Sequence, residues 1–136
     1  GGRYAFTDWC TPDKVKFFEL VLGAIQRHGT LNVPLPAALQ IFRFSDSAAC
    51  IAALRAAGFA EPAVTEISLC YYPLTADQVL SFTYNSAVRM QMILALQTAE
   101  ARERIHQAII EGTSRFEKAG RIEIPMPAVL ASAHKP

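Results

Sequence analysis

The chain has 136 residues, 51% of them hydrophobic and 18% charged, and its 13 basic and 12 acidic side chains leave a formal charge of +1. A chain of this size buries roughly two-thirds of its unfolded surface, and this composition excludes a disordered polypeptide. With no surplus of Lys and Arg to displace counterions from phosphates it is a poor nucleic-acid binder, and no apolar run approaches the ~18 residues that span a bilayer; the expected setting is the cytoplasm, with neither nucleic acid nor membrane among its partners.

Gly1-Gly2 leads into Arg3-Tyr4-Ala5-Phe6-Thr7-Asp8-Trp9, an aromatic, β-rich run that reads as a strand. A sequence that opens without Met in the turn before a buried strand is expected to be a truncation, because termini fray. Thr11, Pro12 and Asp13 then read as the cap and first turn of a helix, with Val15, Phe18, Leu22 and Ile25 on one face and His28-Gly29 at its end. Pro34 and Pro36 interrupt the next stretch, which reads as a loop with a short helical turn near Ala37–Gln40. Ser45-Asp46 caps a second helix through Ala57, with Ile51 and Leu54 inward. Gly58 occupies the left-handed position after it, and Phe59 is placed to fold back.

From Pro62 the chain alternates: Ile67, Leu69 and Tyr71 face one way and Glu66, Ser68 and Cys70 the other, the period of a strand. Thr75-Ala76-Asp77-Gln78 has the form of a capping box, with Leu74 and Val79 spaced as a hydrophobic staple, and predicts a helix to about Gln97. Thr98 begins another through Ala119, with Ala101, Ile105, Ala108, Ile109, Gly112 and Phe116 on one stripe and mixed charges opposite. Ala128-Val129-Leu130-Ala131 has no polar alternation, which suits a strand covered on both faces. Cys10, Cys50 and Cys70 show neither disulfide nor zinc spacing, and His28 and His106 read as surface residues.

Three of these landmarks, in this order, resemble the C-terminal half of class I S-adenosylmethionine-dependent methyltransferases. Gly1-Gly2 and the strand Arg3–Trp9 are similar to the family's Leu-x-Pro-Gly-Gly turn and fifth strand. Ala57-Gly58-Phe59 is similar to the signature before its sixth strand. Residues 124–136 resemble its terminal strand, which returns antiparallel and lodges between the fifth and sixth. The resemblance implies an α/β, Rossmann-like parent, of which residues 1–136 are one C-terminal fragment: a three-stranded mixed sheet with helices and a helical insertion or lid at 73–119. It implies a transferase acting on a small molecule, with S-adenosylmethionine as the parent's cofactor. The family's glycine-rich loop and ribose-binding acid lie in the missing N-terminal half, and no G-x-G-x-G occurs here, so no cofactor-binding residue is assigned and the fragment alone is expected to be inactive.

Ligands of open α/β sheets sit beyond the carboxyl ends of the strands, which makes Asp8 and Trp9 candidate substrate residues. Tyr84, Asn85 and Arg89 join them from the insertion, Arg89 for the planar fork that pairs anions. The exposed edge of the first strand is expected to make the chain self-associate. The rival expectation is a non-enzymatic α+β module that binds a hydrophobic ligand or a protein partner through its Met- and aromatic-rich helices.

Overall fold

A computed structural model describes residues 1–37, 40 and 42–136. Among them the strands are β1 (Arg3–Trp9), β2 (Ala60–Ile67), β3 (Cys70–Tyr71), β4 (Glu117–Lys118), β5 (Arg121–Ile122), β6 (Ile124–Pro125) and β7 (Ala128–His134). The helices are α1 (Lys16–His28), α2 (Ser47–Ala56), α3 (Ala76–Ser86), α4 (Val88–Ala95) and α5 (Ala99–Thr113). The fold is mixed α and β, and the residues group into two compact units. One comprises Gly1–Val15, Leu39–Cys70 and Pro125–Pro136, the other Lys16–Ala38 and Tyr71–Ile124. The helical turn expected at Ala37–Gln40 is centred on Ala38 and Leu39, which lie outside the described residues.

The first unit is a three-stranded sheet in the order β1-β7-β2. β7 runs antiparallel to both neighbours, pairing Trp9 with Ala128 and Phe6 with Ala131 on one side, Ile67 with Ala128 and Val64 with Ala131 on the other. The sheet is therefore antiparallel throughout, not mixed: β1 and β2 run the same way, but β7 separates them. α2 packs against β2 and β7, burying Cys50 and Leu54 together with Val129, Ala131 and Ala133. Aromatic rings extend this layer, with Tyr4 on Phe59 at 5.4 Å between centroids and Phe6 edge-on to Phe44 at 5.2 Å. Asp46 starts α2 by accepting from the Ala48 and Ala49 amides.

The end of α2 is a Schellman turn. The Phe59 amide donates to the Leu54 carbonyl and the Gly58 amide to Arg55, with Gly58 at φ +77°. Lys135 then takes two further carbonyls, donating to Ala57 at 3.2 Å and Gly58 at 3.3 Å while its ammonium lies over the Phe59 ring. β2 begins before Pro62 and stops at Ile67, so Leu69 and Tyr71 do not extend it.

The second unit packs α1 on α5 and α3 on α5. Its interior holds Phe17, Leu20, Val21, Ala24 and Ile25 from α1, Val79 and Thr83 from α3, and Ile105, Ile109 and Thr113 from α5. α1 starts at Lys16, because Thr11 closes a turn with the amides of Lys14 and Val15, and the buried stripe is correspondingly offset from the one expected. The long helix expected to reach Gln97 breaks at Ala87 (φ −125°, ψ 76°). Two hydroxyls back-bond in the turns before it, Thr83 to the Val79 carbonyl and Ser86 to Phe82, a pattern that bends helices.

Neither bond of the expected capping box forms: the Thr75 side chain makes no cap bond, and the Gln78 side chain accepts from the amide of Leu74 instead of Thr75; Leu74 is 85% exposed, so no staple exists. At α5 the Thr98 hydroxyl does cap, accepting from Ala101. That helix stops at Thr113, and after Phe116 the chain turns into a β4–β5 hairpin. Ala119 and Gly120 both have positive φ, 48° and 76°, as a type I′ turn requires.

Candidate functional site: a cleft at the carboxyl ends of β1 and β2

β1 and β2 deliver their carboxyl ends to the same end of the sheet, beside the start of β7. Residues directly opposite in a ladder share a face, so Trp9, Ala128 and Ile67 form one row across it. With Thr7, Asp8 and Leu69 they line a cleft of about 290 Å³. Two backbone bonds fix its floor: the Cys10 amide donates to the Pro127 carbonyl at 3.1 Å, and the Met126 amide donates to the Leu69 carbonyl at 2.8 Å. The lining is mostly apolar, and Trp9 and Leu69 remain 38% and 44% exposed there. Such a slot takes a flat or aliphatic group, with Thr7 and Asp8 as the polar residues along it.

The Asp8 carboxylate has structural duty as well: Oδ1 accepts the Trp9 amide at 2.8 Å, and the Trp9 carbonyl accepts the Ser45 hydroxyl at 2.7 Å. Asp8 lies opposite Val129, which in turn pairs with Glu66. Glu66 holds Lys14 at 2.6 Å across the surface, and this hydrogen bond raises the Lys14 pKa. Burial pushes the Cys10 thiol above its ordinary value, with the Glu66 charge adding to it; burial also raises Cys50, with Asp46 and Asp8 adding. Both thiols are thereby kept protonated, the opposite of what a nucleophile needs.

Of the residues expected from sequence, Asp8 and Trp9 come together in this cleft. Tyr84, Asn85 and Arg89 belong to the second unit and do not line the cleft. Tyr84 pairs its hydroxyl with Nε2 of His106 at 2.7 Å, ring edge to face. Arg89, on the far side of the break at Ala87, donates to the Pro36 carbonyl at 3.1 Å, and Asn85 is exposed. His106 is half-buried, not a free surface residue. Burial lowers its pKa, with Arg102 assisting and Glu103 opposing, and burial raises that of Tyr84. Thr7, Ile67, Leu69 and Ala128 are cleft residues that the sequence does not single out; the signal available is their position at strand ends, usable only once the register is known.

Among the described residues no group of three or more His, Cys, Asp or Glu side chains is placed to hold a metal, and no helix is long and apolar enough to cross a membrane. A scan against models of known protein families finds no match to this chain, and a search of curated proteins finds none either.

Proposed function

We propose that the chain is the C-terminal, substrate-side part of an S-adenosylmethionine-dependent methyltransferase acting on a small molecule, with residues 73–119 as its helical insertion. The observation that carries the reading is the strand order. A terminal strand enters antiparallel between two strands that run the same way, the arrangement the resemblance implies for the family's last three strands. The Schellman turn at Ala57-Gly58-Phe59, immediately before β2, supports it. So does an apolar cleft at the carboxyl ends of β1 and β2, where α/β sheets hold their ligands. A volume of about 290 Å³ suits a small acceptor.

The residues present do not themselves make an S-adenosylmethionine site. Gly58 and Gly120 serve a helix end and a hairpin, and Gly23 and Gly112 lie inside helices, so none of these four forms a ribose-approaching loop. The role that falls to this chain is to seat the acceptor against Trp9, Ile67 and Leu69, at an edge whose backbone Asp8 and Ser45 hold in place. Alignment of acceptor and donor is the main requirement of methyl transfer.

The test is the coding sequence upstream of the Gly1 codon. An in-frame extension of roughly a domain half with an acidic-x-G-x-G-x-G stretch after an apolar strand is the expected result. A stop codon followed by a start near Gly1 would overturn the reading, and the apolar cleft would then favour the non-enzymatic module that binds a hydrophobic ligand. Calorimetry on the 136-residue chain alone is expected to give no S-adenosylmethionine binding.

A further inference from the structure

Two hydrogen bonds at the ends of β1 fix which way its peptide groups face. The Lys135 amide donates to the Gly2 carbonyl at 2.8 Å, and the Cys10 amide to Pro127 at 3.1 Å; both pairs continue the β1–β7 register. Bonded and non-bonded pairs alternate along an antiparallel ladder. Gly2, Tyr4, Phe6, Asp8 and Cys10 therefore bond to β7, while Arg3, Ala5, Thr7 and Trp9 turn their N–H and C=O groups to the outer edge. Trp9 is closed on both counts, its N–H on Asp8 and its C=O on Ser45. No described residue takes the peptide groups of Arg3, Ala5 and Thr7, and all three residues are exposed.

We propose that this open edge is a self-association surface that takes β1 of a second copy of the chain, antiparallel, about a two-fold axis through Ala5. The open stretch is symmetric about that residue. Ala5 meets Ala5, Arg3 meets Thr7 and Thr7 meets Arg3, so every open donor finds an open acceptor and the closed groups of Trp9 fall outside the pairing. On the other face Tyr4 comes opposite Phe6 of the second copy, extending the Tyr4–Phe6 contact at 6.0 Å into an aromatic ladder and covering a Tyr4 ring that is 47% exposed. No like charges stand opposite, since Arg3 faces a threonine.

An axis moved one residue toward Phe6 sets Arg3 against the closed groups of Trp9; one moved toward Tyr4 sets Thr7 against Gly1, outside β1. The outer edge of β2 offers no such match. Its outward residues are Pro62, which has no N–H, Val64 and Glu66, and the ladder beside Pro62 is irregular between Ala60 and Ala63. The inference concerns the 136-residue chain and does not rest on the methyltransferase reading; an upstream strand in a longer chain would occupy the same groups internally.

Light scattering at micromolar concentrations tests it, with the dimer mass expected for the wild type. Ala5→Pro removes only an outward N–H, which edge strands tolerate, so it is expected to halve the mass with an unchanged far-ultraviolet spectrum. In a Cys70→Ser background Ala5→Cys is expected to oxidise to a covalent dimer, since bonded pairs set Cα atoms ~5.5 Å apart. Leu74→Cys, exposed in the other unit, serves as the control that does not. A monomeric wild type, a folded Ala5→Pro variant that still dimerises, or Ala5→Cys cross-linking no better than the control would each overturn the proposal.

Discussion

The two outer strands of one small sheet meet solvent in opposite ways. β2 carries a proline, an irregular ladder, Glu61 at φ +50° and a surface ion pair between Glu66 and Lys14. Each of these discourages a further strand from pairing. β1 keeps an unbroken register over seven residues and, among the described residues, is closed only at Trp9, by two side-chain bonds. Edge protection is thus a property of individual peptide groups, set by which of them face outward and what side chains stand ready to take them.

The sharpest way to break this comparison is to put proline at adjacent positions of β1. Phe6→Pro removes an N–H bonded to β7 and a ring packed on Phe44, and urea unfolding should show a loss of about 3 kcal/mol or more. Ala5→Pro, one residue away, should lose less than about 1 kcal/mol. Equal losses would contradict the assigned alternation.

Next in size is the unguarding of β2. Pro62→Val combined with Glu66→Val restores an outward N–H and removes a charge, so each molecule gains a second pairing edge. Light scattering should then show species larger than a dimer. Unguarding the closed end of β1 is smaller: Asp8→Ala frees the Trp9 amide, at a stability cost of about 1 kcal/mol, and should shift the fluorescence of Trp9, the only tryptophan in the sequence.

The smallest effect lies in the helical unit and acts as a control. Burial depresses the His106 pKa, so the unfolded chain takes up a proton at a higher pH than the folded one. Full stability is therefore present above the ordinary histidine value, and it declines as the pH falls through that value toward the lowered one. Helix content followed through urea unfolding should weaken between about pH 7 and 5, His106→Gln should flatten the trend, and self-association should not change over that range.

Local chemistry makes much of the fold legible. Asp46 as a cap, Gly58-Phe59 as a helix stop and the run Arg3–Trp9 as a strand are each decided within a few residues of sequence. Legibility fails where a neighbour from elsewhere in the chain decides. The break between α3 and α4 depends on hydroxyls that back-bond instead of facing water. Ala119 reads as helical because alanine is the best helix former, although the glycine after it permits the I′ hairpin that forms. His106 reads as a surface residue because its partner Tyr84 is far away in sequence. The cleft shows the same divide. Asp8 and Trp9 are visible as the end of a strand, whereas Ile67, Leu69 and Ala128 join them only through a register that no local pattern specifies.

Amide hydrogen exchange along β1, measured at two protein concentrations, tests the central claim most directly. The account predicts slow exchange at Tyr4, Phe6 and Asp8 at either concentration, because those amides bond to β7. At Arg3, Ala5 and Thr7 it predicts fast exchange in dilute solution that becomes slow as the concentration rises. Uniform protection along the strand at both concentrations, or fast exchange at Ala5 and Thr7 that concentration does not alter, would contradict it.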